Sequence, residues 1–341
     1  MNAFYITAPG HTDFGPVAPP ELKADEVLLR ISTIGFCGTD LSTFRGRNPL
    51  VSYPRIPGHE IAARVESVGA DVPDGLMTVG EAVTVVPYTT CGRCAACRCG
   101  RTNCCANNET LGVQRDGAMQ PFLAVPHANV LPAPRLSLSE LALVEPLSVG
   151  DHAVLRGQVD GGDTVAVFGC GAIGLGAILS AAYRGARVIA IDLDDAKLAV
   201  AQQCGAAYGL NARTSDVAAQ LRDLTDGHGL EVLIEAVGVP ETFVGAIEHV
   251  AFAGRVVYIG YAKAPVTYNT ALFVKKELDI RGSRNATAAS FENVIQMMHD
   301  GRVPMDAFVT RTVDFANAGT ALAAWDADPG SVTRIHIRLG D

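Results

Sequence analysis

The sequence has no run approaching the ~18 consecutive apolar residues of a membrane helix, which excludes a helical span. Cations are in deficit: 27 Lys and Arg stand against 36 Asp and Glu, for a formal net charge of −9. Binding to phosphate backbones or anionic membranes needs clustered Lys and Arg, so nucleic acid and membrane are not expected partners. The opening stretch Met1–Pro9 carries neither a basic n-region nor an apolar h-region. No signal peptide is therefore expected, and the expected location is cytoplasmic. Internal repeats, low-complexity tails and long charge runs are absent as well. Only 18% of residues are charged and 48% are hydrophobic, which argues against disorder. The 341 residues are enough for two domains.

Cysteine, by contrast, is plentiful and unevenly placed. Six of the nine (Cys91, Cys94, Cys97, Cys99, Cys104 and Cys105) fall within one fifteen-residue window. With no secretion signal, such clustering reads as metal binding rather than as a disulfide framework. The spacing from Cys91 through Cys94 and Cys97 to Cys105 is C-x2-C-x2-C-x7-C. Four thiolates on a short Gly-containing loop can close a tetrahedral zinc shell, and a shell made only of protein is structural. The loop has little apolar content, so the metal would hold it together. Cys104 competes with Cys105 as the fourth ligand, and Cys99 is surplus.

A second donor set is more open. Glu26 to Phe36 reads as a strand feeding Cys37, followed by the turn-like Gly38-Thr39-Asp40. Gly58-His59-Glu60 follows Cys37 after twenty-two residues, and Ile61 to Val68 and Val79 to Pro87 are further strand candidates. Sulfur, imidazole and carboxylate are zinc ligand types, and about three protein ligands with an open position make a catalytic site. Leu136 to Arg156 reads as helical, capped by Ser137 or Ser139 and interrupted at Glu145-Pro146-Leu147-Ser148. Because Glu145 precedes a proline, its backbone is expected to be extended.

From Gly161 the pattern becomes alternating strands and helices, the mark of an α/β fold with a parallel sheet. The apolar strand Thr164–Phe168 runs directly into Gly169-Cys170-Gly171-Ala172-Ile173-Gly174, and a small-residue helix follows. A second strand, Arg187–Ile191, ends in Asp192. This is G-x-G-x-x-G after a strand, opening a helix, with an acid ~20 residues on: the dinucleotide-binding arrangement. The glycines permit the tight turn and the close approach of a pyrophosphate, and the helix N-terminus offers free N–H groups. A carboxylate at Asp192 accepts hydrogen bonds from a ribose diol and repels a 2′-phosphate, so NAD is expected over NADP. Lys197 is the nearest cation. Further strands are expected at Glu231–Ala236, Arg255–Ile259 and Leu278–Arg281, then a helix at Ser290–Gly301 and a last strand at Thr333–Leu339. Ala236, Val237, Gly238, Ile259 and Gly260 stand at strand tips, where a cofactor crosses.

The order of these pieces resembles the zinc-dependent medium-chain dehydrogenase/reductase superfamily, in its alcohol, polyol and threonine dehydrogenase branch. The resemblance covers essentially the whole chain. It rests on Gly35-Phe36-Cys37-Gly38-Thr39-Asp40, Pro57-Gly58-His59-Glu60, the Cys91–Cys105 lobe, Glu145-Pro146-Leu147, and Gly169–Gly174 with Asp192. It implies a GroES-like β-rich catalytic domain at residues 1–148 and 284–341, with a structural-zinc lobe at about 88–106. A Rossmann doubly wound NAD-binding domain would occupy 149–283. It implies a catalytic zinc at the domain cleft, with Cys37 and His59 as ligands. Glu60 and Glu145 both match positions that ligate the metal directly or through water. Asp40 would orient the site, and Thr39 would pass the substrate proton. Many relatives carry a His five residues after the Cys, where this chain has Ser42, so the proton route must differ. The resemblance also implies a homo-oligomer, tetramer or dimer.

The reaction so implied is reversible oxidation of a secondary alcohol of a polyol, sugar or sugar acid to a ketone, with hydride passed to NAD. Arg45, Arg47 and Arg55, with Asn48 and Tyr53, lie between Cys37 and His59; Arg115 and Arg284-Asn285 are other candidates to meet a substrate carboxylate. Most of these read equally as surface arginines in loop salt bridges. Simple alcohols or threonine-like substrates are the alternative. A zinc-free reductase of the same superfamily would lack Cys37, His59 and the cysteine lobe, and a non-catalytic zinc-ribbon protein would lack the dinucleotide signature. Metal analysis of the purified chain separates the three: about two zinc ions per chain are expected, against none for the reductase and about one for the ribbon protein.

Overall fold

A computed structural model describes residues 1–340. The chain divides into two compact units, Met1–Glu145 with Phe308–Asp341, and Pro146–Ala307.

The first unit opens with a hairpin of β1 (Asn2–Ala8) and β2 (His11–Pro16). Then come β3 (Glu26–Phe36), α1 (Gly38–Phe44), β4 (Glu60–Val68) and β5 (Ala82–Val85). The short α2 (Ala95–Arg98) lies in the cysteine lobe, and β6 (Phe122–Pro126) and β7 (Val130–Pro132) follow. β5 is shorter than the apolar run Val79–Pro87 suggests, because Gly80 takes a left-handed turn at φ +84°. β3 is the spine: it pairs antiparallel with β4 and, along its first half, with β6. Its side chains on both faces are largely buried, and Leu29, Ile31, Ile34 and Phe36 form the centre of the core.

α3 (Leu138–Gly157) is one continuous helix with Pro146 inside it. The expected break at Glu145–Ser148 is not present, and Glu145 is helical rather than extended. Proline removes one N–H and crowds the preceding turn, at a cost of ~3 kcal/mol. Here the same stretch buries Leu141, Ala142, Leu143, Val144 and Leu147 almost completely, which offsets that cost. Ser137 caps the helix: the Glu140 carboxylate accepts from its N–H at 2.8 Å and its hydroxyl at 2.7 Å.

The second unit holds β8 (Thr164–Phe168), α4 (Ala172–Tyr183), β9 (Arg187–Asp192), α5 (Asp195–Gln203), β10 (Tyr208–Asn211) and α6 (Val217–Leu224). After them come β11 (Leu230–Glu235), α7 (Pro240–His249), β12 (Val250–Tyr258), α8 (Ala271–Lys276), β13 (Asp279–Gly282) and α9 (Ala288–His299). The six strands form one parallel sheet in the order β10-β9-β8-β11-β12-β13. A parallel sheet covered on both faces needs apolar residues at successive positions, and β8 is buried throughout. Gly150 of α3 packs so closely on α4 that a Cβ would lie 2.4 Å from the Ala177 nitrogen.

The chain re-enters the first unit at Phe308, not at residue 284. α9 explains the difference. It buries Phe291, Val294 and Met297, Asn293 donates to Asp151 at 3.2 Å, and Asp300 just beyond it accepts from the Tyr183 hydroxyl at 2.6 Å. α10 (Met305–Phe308), β14 (Arg311–Asp314), α11 (Ala318–Ala327) and β15 (Ile335–Arg338) complete the chain. β15 pairs antiparallel with β3, Ile335 opposite Phe36. The C-terminal strand thus joins the sheet that carries Cys37 and Glu60.

His336 on β15 is 1% exposed, with Nδ1 3.1 Å from the Ser139 hydroxyl. Burial, helped by the nearby Arg334 charge, pushes its pKa down from 6.5 to about 4. The folded state therefore refuses a proton that the unfolded chain accepts between those values. Stability should be full above pH 6.5 and fall as pH drops toward 4, by roughly 3 kcal/mol from this residue. Urea unfolding across that window should show a flatter pH slope for His336→Gln than for the wild type; equal slopes would refute the assignment.

Candidate active site

Cys37 is the N-cap of α1, and the turn expected at Gly38-Thr39-Asp40 is the first turn of that helix. Asp40 reaches back and accepts from the Cys37 N–H at 2.8 Å, fixing where the thiol points. The Thr39 hydroxyl is 3.7 Å from the Cys37 sulfur. His59 and Glu60 arrive from the start of β4. Gly58 makes that approach possible: it sits at φ +105°, and a Cβ there would press on Ile34 at 3.0 Å and on the Met119 nitrogen at 3.2 Å. Glu60 stands opposite Gly35 in the β3–β4 register, and a Cβ on Gly35 would lie 2.0 Å from its carboxylate oxygen. Gly35 is therefore the space that Glu60 occupies.

The ligand atoms of Cys37, His59 and Glu60 all lie within 4.8 Å of one another. Burial opposes ionisation of the Cys37 thiol. The His59 hydrogen bond and the charges of His59 and Arg334 outweigh it and bring the pKa from 9.0 down to about 7. Burial likewise disfavours charged His59, but Cys37, Asp40 and Glu145 raise its pKa well above 6.5. His59 and Glu60 are wholly or almost wholly buried, and His59 Nδ1 has no hydrogen-bond partner among the described residues. A thiolate, an imidazole nitrogen and a carboxylate converging within reach of one point fit a zinc ion, which would replace the shared proton.

Arg334, which the sequence reading did not single out, completes this cluster. Its Nη1 is 3.0 Å from Glu60 Oε1 and also meets the Phe36 carbonyl at 3.3 Å. It is 2% exposed. The contact with Glu60 is an ion pair without hydrogen-bond alignment. Burial drives the Glu60 carboxyl well above its usual range, Arg334 pulls the other way, and Cys37 adds to the rise. The only hint in the sequence is the alternation Arg334-Ile335-His336-Ile337-Arg338, whose polar positions need partners wherever that side of the strand is buried. Glu145 is outside the three-donor group, but its charge acts on His59 and Glu60. Its Oε1 accepts from the Tyr88 hydroxyl at 2.5 Å, and burial together with Glu145 raises the Tyr88 pKa well above 10.

In the lobe, the sulfurs of Cys91, Cys94, Cys97 and Cys105 also lie within 4.8 Å of one another. Tetrahedral zinc–thiolate geometry spaces sulfurs ~3.8 Å apart, so this group fits a closed shell. Backbone N–H groups of Cys91, Cys94 and Cys97 point at the sulfurs of Cys105, Cys91 and Cys94, at 3.3 to 3.5 Å. A hydrogen bond from Asn107 and backbone donors lower the Cys91 pKa to about 5. Cys104 instead meets the Arg101 guanidinium at 3.9 Å, and exposed Cys99 meets the Ala96 carbonyl at 3.2 Å.

In the second unit the three glycines of the β8–α4 turn each have a separate physical task. Gly169 takes φ +91°; Gly171 faces open space; and a Cβ on Gly174 would lie 1.8 Å from the Gly169 carbonyl. Asp192 ends β9 and accepts from the N–H of Cys170 and of Leu193, both at 2.7 Å. Ala172 and Ile173 open α4, Lys197 lies in the first turns of α5, and Ala236–Gly238 and Ile259–Gly260 follow β11 and β12. An open helix N-terminus beside a side-chain-free glycine suits a pyrophosphate. Of the loop arginines, Arg45 pairs with Asp326 and Arg55 with Asp116 at 2.8 Å, whereas Arg47 is exposed with no ion pair among the described residues. Arg115 is partly buried, which lowers its pKa, and Arg284-Asn285 belong to the second unit.

A family model described as the alcohol dehydrogenase GroES-like domain matches residues 23–135, and one described as zinc-binding dehydrogenase matches residues 172–300. L-galactonate-5-dehydrogenase of Escherichia coli (strain K12) is 36% identical over 292 residues, covering 86% of this chain and 85% of that protein. Sorbitol dehydrogenase of Bacillus subtilis (strain 168) is 34% identical over 270 residues, 77% and 76% of the two chains. Among solved structures, a short chain alcohol dehydrogenase (rspB) from E. coli CFT073, complexed with NADH, superposes with a TM-score of 0.92 at 28% identity and covers 99% of each chain. No helix among the described residues is long and apolar enough to cross a membrane.

Removing Arg334 tests the charge cluster. Arg334→Met strands the Glu60 carboxylate in a buried site, at an expected cost of roughly 3–5 kcal/mol in urea unfolding. The double variant Glu60→Gln with Arg334→Met should recover most of that loss; a double variant as unstable as the single would show that the ion pair is not its origin.

Proposed function

The chain belongs to the zinc-dependent alcohol dehydrogenase family, and on that premise we propose that it reversibly oxidises a secondary alcohol of a polyol, sugar or sugar acid to the ketone, with NAD as hydride acceptor. The observation that carries the reading is the pair of donor groups. The lobe's four thiolates form a closed set, which leaves Cys37, His59 and Glu60 as a separate, incomplete one. Cys37 and His59 hold the catalytic zinc, with Glu60 or Glu145 as the carboxylate donor; Cys91, Cys94, Cys97 and Cys105 hold the structural zinc. Zinc at the first set supplies Lewis acidity that favours the deprotonated form of an alcohol hydroxyl, and NAD supplies the hydride acceptor.

The chain's own residues do the rest. Asp40 holds the Cys37 backbone, so the thiolate keeps its direction. Thr39 places a hydroxyl beside that sulfur and passes the substrate proton on, accepting it as it gives up its own. Ser42 stands where many relatives carry a relay histidine, which leaves the Thr39 hydroxyl as this chain's own group for moving that proton. Arg334 balances the negative charge of Glu60 and Cys37. In the second unit, Asp192 at the end of β9 accepts from a ribose diol and disfavours a 2′-phosphate, which selects NAD.

The substrate class follows the relatives, whose names specify L-galactonate and sorbitol. Arg47 is the loop guanidinium left to meet a substrate carboxylate. The test is a panel of polyols, aldonates, threonine and monohydric alcohols with NAD or NADP, followed by absorbance of the reduced cofactor. Turnover of polyols or aldonates, at least tenfold more efficient with NAD, is expected, and Cys37→Ser should abolish it. Activity confined to short monohydric alcohols or threonine would refute the substrate class; comparable efficiency with NADP would refute the cofactor choice.

A further inference from the structure

Glu235 ends β11, in the middle of the parallel sheet, and is fully buried. Its register partners are Phe168 on β8 and Tyr258 on β12, the last residues before the Gly169 turn and the Ile259–Gly260 turn. A carboxylate buried at the rim of a sheet needs donors. Oε1 has three: the N–H of Val237 at 2.9 Å, the N–H of Gly238 at 2.7 Å and the Thr242 hydroxyl at 2.7 Å. The backbone carbonyl of Glu235 accepts from Ile259 at 2.9 Å and Gly260 at 3.2 Å, and Ala236 donates to the Phe168 carbonyl at 2.9 Å. One residue and its neighbour therefore fasten the turn after β11 to the strands on both sides.

Oε2 is buried and has no partner among the described residues. It lies against Gly260, where a Cβ would be 2.5 Å from Oε2 and 2.5 Å from the Gly238 nitrogen. Gly238 itself sits at φ +88°, with the Tyr261 backbone 3.0 Å from where its Cβ would be. The carboxylate thus fits only because both turns carry glycine, and an amide in its place would set an NH2 group against the Gly260 turn.

Sheet order decides which half of a dinucleotide this corner serves. β8 lies between β9 and β11. The pyrophosphate belongs at the β8–α4 turn, and Asp192, the acid for the adenosine ribose, ends β9 on one side. The other half of the cofactor must run over the tips of β11 and β12, where Glu235 lies beneath the turns.

We propose that Glu235 is a positioning residue for the nicotinamide half of the cofactor, its carboxylate locking the Val237–Gly238 and Ile259–Gly260 turns into the surface on which that half rests. The proposal rests on the dinucleotide reading given above. Calorimetric titration of the full chain with NADH and, separately, with 5′-AMP tests it for the wild type, Glu235→Gln, Glu235→Ala and Thr242→Val. Glu235→Ala should weaken NADH by about 30-fold or more, Glu235→Gln by about tenfold and Thr242→Val by a few-fold, with AMP held within about twofold in each. Parallel weakening of NADH and AMP would mark a general structural role and overturn the proposal, as would unchanged NADH affinity in Glu235→Ala. A wild type that binds no NADH would overturn the dinucleotide reading itself, a distinct result. If Glu235→Ala does not fold, Glu235→Gln and Thr242→Val, which keep the side-chain volume, carry the same comparison.

Discussion

The buried ion pair between Arg334 and Glu60 is the contact on which the arrangement of the first unit turns. Three strands meet at it: Glu60 begins β4, Gly35 of β3 leaves the space for its carboxylate, and Arg334 directly precedes β15. Each charge alone would be costly in so dry a place. Together, and with Cys37, His59 and Asp40 close by, they form a network in which each group sets the protonation of the next. The residue that leads into the last strand therefore belongs to this cluster, and the sheet order β15-β3-β4 is what brings Arg334 and Glu60 together.

The second unit solves a different problem with the same device. Its strand tips must leave backbone donors exposed for a ligand and still hold their shape. Gly169 supplies the left-handed turn, Gly174 lets the helix start pack on the Gly169 carbonyl, and Gly171 leaves open space where a side chain would stand. Two buried or half-buried carboxylates restore the rigidity: Asp192 tethers the Cys170 backbone from one side, and Glu235 tethers the next turn from the other. Small residues supply access, and acids supply definition.

The candidate metal donors are legible because their chemistry forces a local signature. Thiolates that share one ion must recur at short spacing, so Cys91, Cys94, Cys97 and Cys105 announce themselves. Gly169–Gly174 is equally local: strand, turn and helix start are contiguous, and the steric demand falls on three named positions. Sequence and structure part where packing outweighs a local preference. Pro146 suggests a break, yet the helix runs through it because the residues around it are buried almost completely. The return to the first unit comes later than residue 284, since nothing in the composition of Ser290–Gly301 shows that Asn293 will donate to Asp151 and Asp300 accept from Tyr183.

Composition, spacing and periodicity determine an α/β chain and point to two candidate metal-donor sets and a dinucleotide-type turn, since each of those is written in residues close together along the chain. They could not identify Arg334 as the partner of Glu60, 274 positions away. Nor could they show that the Cys105 sulfur, and not that of Cys104, groups with Cys91, Cys94 and Cys97, or that Glu60 groups with Cys37 and His59 while Glu145 accepts from Tyr88. Those choices depend on which side chain a strand register or a loop turns inward, and the free energy that decides it comes from contacts between segments remote in sequence.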